Sequence, residues 1–321
     1  MPPKKLLAEL RKKSNKTFLI SAHIHLEGDA LGSELALAGL LKALGKKAII
    51  INEDKAPDEY LFLPGIGSIR HDISGLDYDA AILVDCSDVS RIGKMHKALR
   101  KDRPLINIDH HISNTGFGDI NWIQPDASCA CEMVYYLFKA LGVAIKKQDA
   151  VCIYTGILSD TGSFKYKTTS RHTHLIAADL LKHGIDVYDI NRRIYESMSV
   201  ATVRALGKII GTLEVSSDGK IAWLLIKNSL IRKNPALAEE TDNIIHFARA
   251  IAGVEVALLF KETKRNGDVR INLRSTGSAD VNELAQVFGG GGHRMASGAT
   301  VRGALGDVVK KVVDEAVKRV S

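Results

Sequence analysis

Roughly the first 160 residues alternate between short apolar runs rich in strand formers and longer segments with apolar residues at helical spacing. That alternation constrains the fold more than any other feature of the chain. "TFLISAH" (17–23), "KAIIIN" (47–52), "YDAAILVDCSD" (78–88) and "RPLINIDHH" (103–111) read as buried strands. "ALGSELALAGLLKALG" (30–45) and "SCACEMVYYLFKALG" (128–142) read as helices closed by glycine, and "QDAVCIYTGILSDTG" (148–162) as a helix that breaks at Asp160–Gly162. Strands alternating with helices predict an α/β domain: a doubly wound, mainly parallel sheet covered on both faces.

At 321 residues the chain is too long for one ordinary core, and its texture changes after "RRIYESMSVATVRALGKIIGTLEV" (192–215). The reading is a first domain over 1–192, a helical linker over 193–213 and a smaller α/β domain over 214–321. The last part holds three strand-like runs, "IAWLLI" (221–226), "VEVALLF" (254–260) and "VRINLRS" (269–275). Asn266–Gly267 is a hairpin signal between the second and third. A glycine cluster, "FGGGGHRMASGA" (288–299), and an amphipathic terminal helix follow.

No apolar run reaches the roughly 20 residues that a bilayer crossing needs. The basic N-terminus has no long apolar stretch and reads as a short amphipathic helix, not a signal peptide. The four cysteines, Cys86, Cys129, Cys131 and Cys152, form no CxxC pair. They are expected as reduced thiols of a cytoplasmic protein, and a zinc site at Cys129 and Cys131 is disfavoured by their spacing. The formal net charge of +7 is compatible with an anionic substrate, but no Lys/Arg-rich block resembles a duplex-binding arm.

In open parallel sheets ligands bind beyond the carboxyl ends of the strands. The first strand ends at His23 and continues "HIHLEGDALGS", placing His25, Glu27 and Asp29 in the loop. "ILVD" delivers Asp85, with Asp88 after it. "LINID" delivers Asp109, His110 and His111, and the "GILSDTG" break delivers Asp160. A single aspartate after a strand is most often a turn residue or helix cap, the role expected of Asp88, Asp119 and Asp126. His25 stays open between ligand and loop residue. Four segments delivering carboxylate or imidazole to one sheet edge is a different matter. Gathered carboxylates repel one another, and divalent cations relieve the repulsion. An oxygen and imidazole set without thiolate suits manganese, with magnesium second, and the number of candidate ligands calls for two ions.

"HIHLEGDALGS", "LVDCSD", "NIDHHISN" and "GILSDTGSFKY" resemble, in order and spacing, the four motifs of the DHH phosphoesterase family. "FGGGGHRMASGA" resembles the glycine-rich motif of the DHH-associated C-terminal domain, and "TDNIIHFARAIAGVEVALLFKE" (241–262) also fits the second domain of the short nanoRNase and pAp phosphatase subgroup. The resemblance implies that His23, Glu27 and Asp85 hold one ion and Asp29, Asp85, His110 and Asp160 the other, with Asp85 shared. It implies that Asp109 orients His110 through its ring N–H and that His111 faces the substrate phosphate. The departure is Leu26–Glu27, where the family pattern has proline followed by aspartate.

Glycines cannot hold a helix or strand interior well, so "GGGGH" reads as close backbone approach with N–H groups presented to an anion. Composition alone equally allows a flexible surface loop. Arg274 and His293 would add charge-assisted contacts to a phosphate. With the resemblance, Gly290, Gly291, Gly292, His293, Arg274 and Ser275 form the expected nucleotide-binding set. The implied function is two-metal hydrolysis of short single-stranded RNA or DNA oligonucleotides from one end, releasing mononucleotides, and of 3′-phosphoadenosine 5′-phosphate (pAp) to AMP. The implied partners are those substrates, no membrane, and a homodimer as one admissible assembly. The alternatives are a phosphodiesterase of cyclic or linear dinucleotides and a catalytically impaired nucleotide-binding homologue, the latter favoured only by Glu27.

Overall fold

The computed structural model describes residues 1–233, 241–263 and 267–320, and the chain divides into two compact units, Met1–Ser197 and Met198–Ser321. The first unit runs α1 (Lys4–Arg11), β1 (Thr17–Ser21), α2 (Gly28–Ala43), β2 (Lys47–Ile50), β3 (Ala80–Val84), β4 (Leu105–Asp109), β5 (Ile120–Ile123), α3 (Ala130–Leu141), α4 (Lys147–Asp160), α5 (Arg171–Leu181) and α6 (Val187–Tyr195). Its strands form an all-parallel sheet in the order β2-β1-β3-β4-β5. Every residue of β3 is buried, and β1 and β4 are buried past their first residue, as strands covered on both faces must be.

This order contains a reversal. From β1 the chain moves to one side for β2, then crosses to the other side for β3 and continues outward. The crevice beyond the carboxyl ends of β1 and β3 is therefore the topological switch point, where open α/β sheets bind ligands. Helix α2 stands over it, with every residue from Gly28 to Leu37 buried. It packs on α3 and α4 at close range, because a Cβ on Gly32 would meet the Cys152 carbonyl of α4 and the Cys131 sulfur of α3. A helix such as "ALGSELALAGLL" has no polar face because, apart from the half-buried Ala38 and Gly39, none of it meets water.

The second unit runs α7 (Val200–Ile210), β6 (Glu214–Val215), β7 (Ile221–Ile226), α8 (Asn228–Lys233), α9 (Thr241–Arg249), β8 (Val256–Glu262), β9 (Asp268–Ser275), α10 (Val281–Val287), β10 (Gly291–His293), β11 (Ala296–Arg302) and α11 (Leu305–Val320). Its six-stranded mixed sheet has the order β10-β11-β9-β8-β7-β6, with only β7 and β8 parallel. Alternate residues of β7 build two cores: Ile221 and Trp223 with α10 and α11, and Ala222, Leu224 and Ile226 with α7, α8 and α9. Because Leu206 and Ile209 of α7 lie in the second of these, the stretch 193–213 is not a free-standing connector; the break falls after residue 197. Asn266 lies outside the described residues, but β8 and β9, on either side of it, pair antiparallel. Among the described residues no helix is long and apolar enough to cross a membrane.

Candidate metal centre

Two residues past β1, His23 is buried with its Nδ1 against the Ile24 carbonyl (2.7 Å) and its Nε2 3.2 Å from Asp85 Oδ2. The Ile24 contact fixes the proton on Nδ1 and leaves Nε2 free for other partners. Asp85 follows β3 directly, in left-handed backbone (φ 52°), and its Oδ1 is buried without a hydrogen-bond partner although His110 Nε2 stands 3.4 Å away. From the end of β4, His110 Nε2 also lies 3.5 Å from Asp160 Oδ2 and 4.0 Å from Asp29 Oδ2. Asp160 is the last residue of α4, where the negative end of the helix dipole favours a cation.

The start of α2 supplies two more carboxylates. Glu27 caps the helix, its Oε1 accepting from the amides of Asp29 (3.0 Å) and Ala30 (2.9 Å), while its Oε2 accepts from the Ser159 hydroxyl (2.8 Å). Asp29 is fully buried and held by the first amides of α3, Ala130 N–H to Oδ2 (2.6 Å) and Cys131 N–H to Oδ1 (2.8 Å).

Three overlapping sets emerge, each with ligand atoms within 4.8 Å of one another: His23, Glu27 and Asp85; Asp29, His110 and Asp160; and Asp85, His110 and His111. Burial and the neighbouring carboxylates push Glu27, Asp29 and Asp160 up from the ordinary carboxylate range. Asp85 goes the other way: burial opposes its charge, but His110 and His23 hold it down. Burial likewise opposes charge on His23 and His110, but Asp85 together with the Ile24 carbonyl and Glu27 raises the first, and Asp85 together with Asp29 and Asp160 raises the second. The carboxylates of these sets, Glu27, Asp29, Asp85 and Asp160, thus outnumber the imidazoles of His23, His110 and His111. The unpartnered Asp85 oxygen and an all-oxygen-and-imidazole donor set fit divalent cations, so these residues could hold metal.

His25 is outside the cluster; it is exposed, with its amide on Asp54 Oδ2 (2.6 Å). Asp88 caps the 3-10 segment that follows it through the Ser90 amide (2.9 Å), the role expected of it, whereas Asp119 accepts from the Leu105 amide (2.8 Å) and so ties the start of β4 to the residue before β5 instead of closing a turn. All four cysteines are free and buried; Cys129 caps α3 by accepting from the Glu132 amide (3.3 Å), and burial pushes the Cys129 and Cys131 thiols up, away from the thiolate a zinc site needs.

In the second unit, the register His293↔Ala296↔Arg274 puts His293 and Arg274 on one face of three adjacent strands. Ser275 alternates to the other face, where it is buried and its hydroxyl accepts from the Gly277 amide (3.0 Å). The structure therefore does not bring Ser275 together with Arg274 and His293. The glycines also correct the sequence reading, because Gly291 and Gly292 do lie in a strand, β10, at the edge of the sheet. Their smallness admits β11: a Cβ on Gly290 would meet the Gly298 carbonyl, and one on Gly292 would come 2.7 Å from the Ala296 carbonyl. Gly292 also has φ 150°, which side-chain-bearing residues rarely adopt.

Comparison with known proteins places this geometry. The model of the DHH family, N-terminal domain, matches residues 17–157, and the DHHA1 domain matches residues 232–321. The "Bifunctional oligoribonuclease and PAP phosphatase NrnA" of Thermus thermophilus is 30% identical over 98% of this chain and 93% of its own length. The chain belongs to the DHH family. A probable bifunctional oligoribonuclease and PAP phosphatase NrnA of Streptococcus mutans is 29% identical over 92% of each chain. Among solved structures, an exopolyphosphatase-related protein from Bacteroides fragilis superposes with a TM-score of 0.88 at 28% identity, over 98% of this chain and 95% of that one.

Within this DHH protein one expected role is overturned. Asp109 orients His111, not His110: its Oδ1 takes the His111 Nδ1 at 2.7 Å, and its Oδ2 accepts from Asn114 (2.5 Å). His110 instead turns toward Asp85, Asp29 and Asp160. The Asp109 hydrogen bond, opposed by burial, raises His111, whose side chain is 40% exposed. Asn107 and Asn114 escaped the sequence reading. Asn114 bridges Asp109 to the Asn107 side-chain oxygen Oδ1 (2.8 Å), and both asparagines donate to the Cys86 backbone carbonyl. For Asn107 the signal available was an asparagine inside an otherwise apolar, buried run. Glu34 was missed as well: it is fully buried in α2, its Oε2 accepts from Asn52 (2.7 Å) and its Oε1 has no partner.

Proposed function

We propose that this chain hydrolyses phosphoesters, cleaving short oligonucleotides to mononucleotides and pAp to AMP with two divalent ions, manganese preferred. The observation that carries the reading is Asp85: one buried carboxylate common to the His23–Glu27 set and the His110 set. The match over nearly full length to relatives named for oligoribonuclease and PAP phosphatase activity supports the substrate class.

His23, Glu27 and Asp85 would hold one ion, and Asp29, Asp85, His110 and Asp160 the other. Ions bound there would polarise the phosphoryl group and lower the pKa of an attacking water. The protein's share is positional. Asp109 fixes the His111 proton on Nδ1 and favours the charged ring, so Nε2 is an N–H donor for a phosphate oxygen or for the departing 3′-oxygen. Asn114 and Asn107 hold Asp109 rigid while it does so. Arg274 and His293, with the backbone of Gly290, Gly291 and Gly292, would bind the nucleotide; Ser275 supports the turn behind them. The test is turnover of pAp, a five-mer RNA, diadenylate and pyrophosphate with Mn2+. Preference for the first two supports the reading, and turnover of pyrophosphate alone overturns it.

A further inference from the structure

Glu27 has about four lone-pair directions on its two carboxylate oxygens. Two, on Oε1, are taken by the amides that begin α2, and one, on Oε2, by the Ser159 hydroxyl. The remaining direction belongs to the oxygen that Ser159 holds. Since the Ser159 proton goes to Glu27, the Tyr60 hydroxyl 3.4 Å away is the donor of the next link, giving a chain Tyr60 to Ser159 to Glu27. Burial raises the Tyr60 phenol, so it keeps its proton.

Packing fixes this chain in place. A Cβ on Gly28 would lie 2.7 Å from Ser159 Cβ and 3.0 Å from Tyr60 Cε1, so both side chains are seated against bare helix backbone. Ser159 also immediately precedes Asp160, so one turn of α4 carries both a ligand of the second set and the residue that holds Glu27 in the first.

We infer that Ser159 and Tyr60 are positioning residues that steer the Glu27 carboxylate into the set with His23 and Asp85. Without them the longer glutamate side chain would serve α2 as a cap and nothing would aim its free oxygen. The inference rests on the proposed metal function and deepens it. An aspartate at position 27 is one methylene shorter, so it can cap α2 but cannot span to Ser159.

The test is a double-mutant cycle on the full chain, combining Ser159→Ala and Glu27→Asp, with Mn2+ binding read by calorimetry and electron paramagnetic resonance. Tyr60→Phe is measured in parallel, and thermal melting of the metal-free proteins checks that each variant folds. In the Glu27 background Ser159→Ala weakens one Mn2+ by roughly 10- to 100-fold, the usual effect of removing a ligand's own hydrogen-bond partner. In the Glu27→Asp background Ser159→Ala changes that affinity by less than about threefold, within the additivity expected of uncoupled sites. Tyr60→Phe shifts the same ion in the same direction by a smaller factor. Equal losses in both backgrounds, or no loss in either, overturn the inference while leaving the metal reading intact. Absence of Mn2+ binding by the unmutated chain, measured first, overturns the metal reading and the inference together.

Discussion

Glu34→Gln separates what the buried charge cluster does to stability from what it does to chemistry. Glu34 is fully buried beneath the cluster, and burial holds its carboxyl at about 8, against the partial opposition of the Asn52 hydrogen bond. Between about pH 4.5 and pH 8 the folded protein therefore keeps a proton that the unfolded chain releases. The stabilisation is complete below the unfolded value and disappears as the pH rises through the folded one. At about 1.4 kcal/mol per pH unit for one proton, the span from pH 5 to pH 8 gives a ceiling of roughly 4 kcal/mol. Glutamine keeps the acceptor for Asn52 and cannot ionise. Like the protonated carboxyl it replaces, the amide is neutral, so the substitution costs little at pH 5. The assay is urea unfolding with chelator present, followed by the fluorescence of buried Trp122 in a Trp223→Phe background, so that the first unit alone reports. Wild type and variant should nearly coincide at pH 5, with the variant gaining up to about 4 kcal/mol by pH 8. A stability difference that does not change with pH, or one that favours wild type as pH rises, would refute the reasoning.

Asp85→Asn keeps side-chain size and a residue that tolerates left-handed backbone, but removes the shared charge. Mn2+ affinity by calorimetry should fall beyond the roughly 100-fold seen for outer partners, pAp turnover should vanish, and NMR titration should show His23 and His110 dropping. Asp109→Asn should lower the His111 pKa, moving the high-pH limb of the kcat profile to lower pH and reducing kcat by on the order of 10- to 100-fold, with Mn2+ affinity unchanged. Arg274→Ala should raise KM for pAp by roughly 10-fold with little change in melting temperature, whereas Gly290→Ala, whose Cβ would strike β11, should lower the melting of the second unit by about 1–3 kcal/mol in stability.

The sheet of the first unit was legible because β1, β3 and β4 are continuous apolar runs, the pattern that burial on both faces demands. The short β5, "INWI", alternates and sits at the edge, so nothing in its composition separates it from a loop. His23, Asp85, His110 and Asp160 could be brought together in advance because strand ends and one helix end of an α/β sheet share an edge. The partner of Asp109 could not. His110 and His111 are adjacent on one backbone, and which ring turns toward Asp109 depends on the path after β4 and on Asn114, seven residues from Asn107 and bonded to it. In the glycine cluster the close backbone approach was legible but the strand was not, because glycine's entropic cost in a strand is outweighed where a neighbouring backbone must pass closer than a Cβ permits.

Because the amides of Ala130 and Cys131 grip both oxygens of Asp29, that carboxylate fastens α2 to α3 whether or not an ion is near. Asp160, whose side chain takes no backbone hydrogen bond among the described residues, fastens nothing. A descendant that gave up catalysis could shed Asp160 freely yet would retain Asp29 as architecture. An intact Asp29 in a relative is thus weak testimony to a working enzyme, and an intact Asp160 is much stronger.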